Sequence, residues 1–170
     1  GDGTFQPAVN YAAGDGPREI AIGRLDGDAD LDLAVANYNS DNVSLLLGNG
    51  NGTFQAAVNY GAGDGAGSVV IEDFDGDAAT DLAVAYSNAG AVSLLFGFGD
   101  GTFPHTVSHA AGNGPQSSAV CLLNADANLD VVVANNLGDN VSVLLGNGDG
   151  TFQAAVNYAT GDAPWSVAMG

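Results

Sequence analysis

Residues 73–81 read DFDGDAATD, which sets carboxylates at Asp73, Asp75, Asp77 and Asp81. Alternate spacing aims three of them inward around a turn, and hard divalent cations take oxygen ligands arranged in this way. In a nine-position loop the side chains at one, three, five and nine would ligate, with the Ala79 carbonyl at position seven. Without a cation, four neighbouring carboxylates repel one another. Little else in the chain can neutralise them, because Arg18 and Arg24 are its only basic residues besides two histidines. Ca²⁺ suits a flexible, carboxylate-rich loop better than Mg²⁺ or Mn²⁺. The competing explanation is that Asp and Asn simply favour turns, as other Asp-Gly pairs of this chain do.

The pattern recurs twice with losses. Residues 24–32, RLDGDADLD, carry Arg24 at position one, leaving Asp26, Asp28 and Asp32, with Asp30 at position seven. Residues 122–130, LLNADANLD, carry Leu122 there, leaving Asn124, Asp126 and Asp130, with Asn128 at seven. The middle loop is therefore expected to hold an ion most completely. Arg24 offers the first loop an internal cation instead.

These loops sit inside a longer repeat. The motif TFQ-x-AVNY starts at residues 4, 53 and 151, and a diverged copy, TFPHTVSH, starts at 102, so successive starts lie 49 residues apart. Within the second copy, four short apolar stretches (67–73, 80–87, 91–97 and 102–108) are rich in β-branched residues and bordered by turn formers. That pattern reads as strands, and no stretch carries a helical stripe. Runs such as LAVA at 33–36 and 82–85, and VVVA at 131–134, are apolar on both faces, as in a sheet stacked between two others. GNGNGT, GFGDGT and GNGDGT supply the positive-φ residues of tight hairpins.

A period of this length with four strands predicts an all-β fold of β-propeller-type blades, each of four antiparallel strands; a β-solenoid or open array is the alternative. The blades are expected at 14–62, 63–111 and 112–160 within one repeat domain, 1–170, with partial blades at 1–13 and 161–170. Residues 1–23 correspond to 148–170, so the chain is expected to begin on an outer strand and end on an inner one. Three blades fall short of the roughly four or more of a closed ring. Either a longer chain completes the ring, or copies associate end to end through open blade edges.

The loop at 73–81, the DLAVA that follows it, NVSLLLGNGNGTF at 42–54 and PREIAIG at 17–23 together resemble the FG-GAP/VCBS repeat family, the integrin-α-like β-propeller group. The resemblance runs the length of the chain. It implies a structural Ca²⁺ on each blade, with Asp73, Asp75, Asp77 and Asp81 inheriting the ligand role; the first and third loops depart from the pattern at position one. At position six, where the family often has glycine, all three loops have alanine (Ala29, Ala78, Ala127), which is expected to stiffen them.

Composition narrows the partners. A net charge of −18, from 20 acidic residues and no lysine, disfavours nucleic acid and anionic membrane surfaces. A 46% hydrophobic content argues for a folded chain, and no run approaches the roughly 20 apolar residues of a membrane-spanning helix. No secretion signal is legible, and Cys121 has no second cysteine to pair with. His105 and His109 read as variation on an outer strand and Cys121 as a small apolar residue. GAGDGAGS at 61–68 lacks the G-K-[ST] of a phosphate loop. Paired carboxylates for glycoside hydrolysis stay open, although aspartates that repeat with the blades fit a structural metal better.

One blade-equivalent position varies sharply: Arg18, Gly67, Gln116 and Trp165. It opens each inner strand near a propeller face, where Arg18, Gln116 and Trp165 would meet a protein or glycan; the competing explanation is plain surface drift. Sequons begin at Asn42, Asn51 and Asn140. The expected role is a non-enzymatic, calcium-stabilised extracellular module, secreted or at the cell surface, in adhesion or structure. The alternatives are a subunit of an extracellular filament and an accessory propeller of a secreted polysaccharide-active enzyme.

Overall fold

The computed structural model describes residues 3–61 and 63–169. The outermost residues of the expected partial blades (1, 2 and 170) and Ala62, the last residue of the first expected blade, lie outside them. Among the described residues there are twelve strands and no helix. The first blade comprises β1 (Pro17–Gly23), β2 (Asp32–Asn37), β3 (Asn42–Leu46) and β4 (Val58–Gly61). The second comprises β5 (Ala66–Glu72), β6 (Asp81–Tyr86), β7 (Ala91–Phe96) and β8 (His105–Ala110), and the third β9 (Pro115–Cys121), β10 (Asp130–Asn135), β11 (Asn140–Leu144) and β12 (Val156–Ala159). Each blade is a separate four-stranded antiparallel meander. The inner strands pack side by side, β1 against β5 and β5 against β9, as in a propeller.

Why LAVA is apolar on both faces is now explicit. Leu82, Val84 and Tyr86 of β6 face a core shared with Ala34, Ala36, Val43 and Leu45 of the first blade. Their neighbours Ala83 and Ala85 face a second core with Val131, Val133 and Leu144 of the third. Period-two alternation thus sends larger side chains toward one neighbour and alanines toward the other.

The TFQ-x-AVNY motif serves the turns and the seams between blades. Thr53, Thr102 and Thr151 cap the hairpins by donating both main-chain N–H and hydroxyl to Asn51, Asp100 and Asp149. The phenylalanine after each threonine meets the aromatic residue of the preceding blade edge-on: Tyr11 with Phe54 at 5.3 Å, Tyr60 with Phe103 at 5.6 Å, His109 with Phe152 at 5.1 Å.

The outer strands begin later than the sequence predicts. In the second blade the strand starts at His105 rather than at Thr102. Thr102 is committed to its turn, Phe103 is buried at the seam and Pro104 has no N–H to offer a ladder.

The expected terminal strands also differ. Described residues 3–13 and 161–169 form no strand, since neither has a third or second strand of its own blade to pair with. They nevertheless keep blade-like contacts. Tyr11 stacks as Tyr60 does, and Val167 N donates to Ser117 Oγ at 3.3 Å. That bond repeats Val69 N to Glu19 Oε2 at 3.0 Å and Ser118 N to Ser68 Oγ at 3.0 Å.

Candidate functional site: acidic loops and a bulged face

All three acidic loops hang between the first and second strands of a blade. Side chains at positions three and five accept the N–H two residues on: Asp26 from Asp28, Asp75 from Asp77, Asp77 from Ala79, and Asn124 from Asp126. These local turns curl the loop because short Asx side chains reach their own backbone.

The middle loop goes further. Asp73 Oδ1 accepts Gly76 N at 2.7 Å and Oδ2 accepts Ala78 N at 2.9 Å. Ala78 is thereby drawn into the left-handed region, φ +73°, whereas Ala29 and Ala127 are not among the positive-φ residues. Carboxylate oxygens of Asp73, Asp75 and Asp81 lie within 4.8 Å of one another. Among the described residues this is the one such meeting of three metal-ligating acids. Asp77 stands outside the group, exposed, with its Oδ1 bonded to Ala79 N.

Burial, ahead of the charges of Asp75 and Asp73, pushes the Asp81 carboxyl up to about 6, although bonds from Gly97 and Phe74 N–H pull the other way. Burial likewise raises Asp75, with Asp77 and Asp73 adding to it. Three convergent oxygens, two of them on carboxyls raised in pKa, with no basic side chain among the described residues bonded to them, form a donor set that a hard cation could occupy. The residues fit a hard divalent cation.

The flanking loops are satisfied differently. Arg24 Nε donates to the Ala29 carbonyl at 3.3 Å, so its partner is the loop's main chain and not a carboxylate. Asp26 is raised, first by burial and then by Asp32 and Asp28. In the third loop Asn124 Nδ2 donates to Asp126 Oδ2 at 2.9 Å, and Asn128 Nδ2 reaches the Gly146 carbonyl at 3.4 Å. Asp30, at position seven of the first loop, donates its N–H to Asp28 Oδ1 at 2.7 Å.

Position nine has a job that sequence reasoning missed. Asp32, Asp81 and Asp130 are each fully buried. One oxygen accepts the N–H of position two (Leu25, Phe74, Leu123) and the other that of a glycine beyond the third strand (Gly48, Gly97, Gly146), at 2.7 to 2.9 Å. These carboxylates tie the acidic loop to the neighbouring hairpin in every blade, whether or not an ion binds.

At the opposite end of the inner strands lies a second feature. Each shifts register at the same place: between Pro17 and Glu19, between Ala66 and Ser68, and around Gln116 where Pro115 and Ser117 pair with Asn135 and Ala134. The bulged residues are Arg18, Gly67 and Gln116, the position whose identity varies among blades. Bulges re-aim a side chain, which accounts for its freedom to vary. Arg18 Nη1 reaches across Gly67 to Gln116 Oε1 at 2.8 Å, and its guanidinium lies 3.5 Å from the centre of the Tyr38 ring. Trp165, in the blade-equivalent place, is 67% exposed and borders the same depression.

The remaining candidates are dispersed. His105 tilts against Phe98, burial lowers the pKa of His109, and the Cys121 thiol is raised by burial and by Asp130. Of the sequon asparagines, Asn51 is exposed on its hairpin, while Asn42 accepts from Asn37 and Asn140 bonds both Asn135 and the Gly138 carbonyl.

Blades of this topology with acidic loops between their first two strands define a β-propeller-type repeat protein. Residues 24–84, from the first acidic loop through most of β6, match the model of the FG-GAP-like repeat family, so that stretch is similar to an FG-GAP-like repeat. Among solved structures the chain is similar to a lectin of Agrocybe aegerita, described for specific recognition of non-reducing terminal N-acetylglucosamine. The TM-score is 0.56 at 18% identity, a likeness of fold, over 82% of this chain and 37% of that one. The chain thus spans well under half of that structure. No curated protein matches it.

Proposed function

We propose that this chain is a non-enzymatic, calcium-stabilised repeat module, extracellular or at the cell surface, that acts in adhesion or structure by binding a protein or glycan. The observation that carries the reading is the convergence of Asp73, Asp75 and Asp81 in a chain of net charge −18. Weak extracellular-type sites fill at roughly 10⁻⁴–10⁻³ M calcium, so stability would follow the calcium of the surroundings. Dispersal of His105, His109 and Cys121 favours binding over catalysis. Likeness of fold to a lectin supports a glycan or protein as partner.

Thermal unfolding in millimolar Ca²⁺ and then in EDTA tests the metal. A ligand bound by the folded form alone must raise the midpoint with its concentration. An unchanged midpoint refutes the calcium reading.

One observation favours end-to-end association as a second reading. Ile20 is 57% exposed, although its blade equivalent Val69 is 2% exposed beneath the preceding blade, and Ile22 is 63% exposed, although its equivalent Ile71 is partly buried against the same core. Light scattering on the purified chain separates the two, since a concentration-independent monomer removes the second.

A further inference from the structure

The bulged ends of the inner strands form a depression of about 360 Å³, lined by Arg18, Glu19, Gly67, Gln116, Ser117 and Trp165 among others. We propose that this depression is a saccharide site that takes a neutral pyranose, stacked on Trp165 with its hydroxyls on Arg18, Gln116 and Glu19. The proposal rests on the reading of the chain as a binding module and adds the place and class of ligand.

Preorganisation is the first argument. Arg18 is held between the Tyr38 ring and Gln116 Oε1, Gln116 Nε2 donates to Ser87 Oγ at 3.2 Å, and the Tyr38 hydroxyl donates to Asn88 Oδ1 at 3.2 Å. A guanidinium carries five N–H donors, and Gln116 takes one. Glu19 spends one carboxylate oxygen on Val69 N, leaving a second as an acceptor. Fixed donors and acceptors of both kinds around one cavity match a polyol, whose hydroxyls both donate and accept.

Trp165 supplies the other half. An exposed indole beside a polar rim presents an electron-rich face to the partly positive C–H groups of a sugar ring. Gly67, lacking a side chain, leaves the floor between Arg18 and Gln116 open. Its position is already tight, with an added Cβ only 3.1 Å from Ser87 Oγ.

Charge and size choose among ligands. Glu19 beside Arg18 and the charge of −18 act against an anionic sugar or phosphate, and Arg18 acts against a cation. A volume at the low end for small-molecule sites, with one exposed aromatic, suits a monosaccharide or disaccharide better than a protein, which needs about 800 Å² of surface from each partner.

Trp165 is the chain's single tryptophan, so its fluorescence reports on this place alone. The 170-residue chain in calcium is titrated with methyl glycosides of glucose, galactose, mannose and N-acetylglucosamine. At least one is expected to change the emission saturably, with a Kd on the order of 1 mM for so small a ligand. Arg18→Ala and Gln116→Ala, both near the surface and checked by their melting points, should each weaken it roughly tenfold. Saturable binding that neither variant weakens overturns the location while sparing the module reading. No saturable change with any glycoside overturns the saccharide; the calcium-dependent melt then still judges the module reading, with a protein as its partner.

Discussion

Replacing Ala78 by glycine should stabilise this chain, although the same change at Ala29 or Ala127 should weaken it. Ala78 is held at φ +73° by the bond from its N–H to Asp73 Oδ2. An L-residue there loses about 1–2 kcal/mol to the clash of Cβ with its own following carbonyl. Glycine removes that strain but gives the unfolded chain more freedom, worth about 0.4–1 kcal/mol. The net gain is about 0.5–1 kcal/mol, or roughly 1–4 °C in melting point for a chain of this size. At Ala29 and Ala127, which lack positive φ, only the unfolded-state effect remains, so both melts should fall. Melting is followed by circular dichroism in EDTA, to keep ion binding out of the comparison. In an Asp73→Ala background the gain from Ala78→Gly should vanish, since nothing then pins residue 78. Coupling of this kind is what a double-mutant cycle measures. Shifts of one sign at all three alanines, or a gain that survives the loss of Asp73, would refute the reasoning.

Stability without metal should fall as pH rises. Folded Asp81 keeps its proton up to about pH 6, whereas an unfolded carboxyl releases it near about 4, so its contribution is full below the lower value and lost through the upper, by at most about 3 kcal/mol. In calcium the trend should reverse, because the ion needs ionised ligands; melts in EDTA and in Ca²⁺ at about pH 5 and about pH 7.5 check both signs. Asp130→Ala should cost about 1–3 kcal/mol, since it strands the buried N–H of Gly146 and frees the part-buried N–H of Leu123, while leaving the calcium-dependent rise in melting point intact. A loss below about 1 kcal/mol, measured by urea unfolding, would contradict the role given to position nine.

The fold is legible in the sequence because one interval of 49 residues marks both the unit and its boundaries, and because LAVA has no polar face to show to water. The middle loop is legible for a related reason: four acids at ligand spacing stand out when two sister loops have lost the first. What escapes is anything that depends on a distant register. Asp32, Asp81 and Asp130 read as ion ligands, yet each also bonds a glycine 16 residues further on, a pairing that no local spacing displays. The bulge at Arg18, Gly67 and Gln116 is visible only as variation, because a register shift between two strands leaves no mark in either one alone.

The inner strand itself separates the two features. β1 runs seven residues from Pro17 to Gly23, with the bulge at its start and the acidic loop just past its end. At about 3.3 Å per residue those ends stand roughly 20 Å apart, beyond the Debye length at physiological salt. An ion held by Asp73, Asp75 and Asp81 therefore has no direct electrostatic hold on a ligand beside Trp165. What joins them is the sheet: Asp81 opens β6, and β6 pairs along β5, the strand that carries Gly67 at its bulge. Calcium can then act on the far face only by keeping that ladder formed, so its removal should lower the fraction of binding-competent chain and leave the affinity of each folded molecule unchanged.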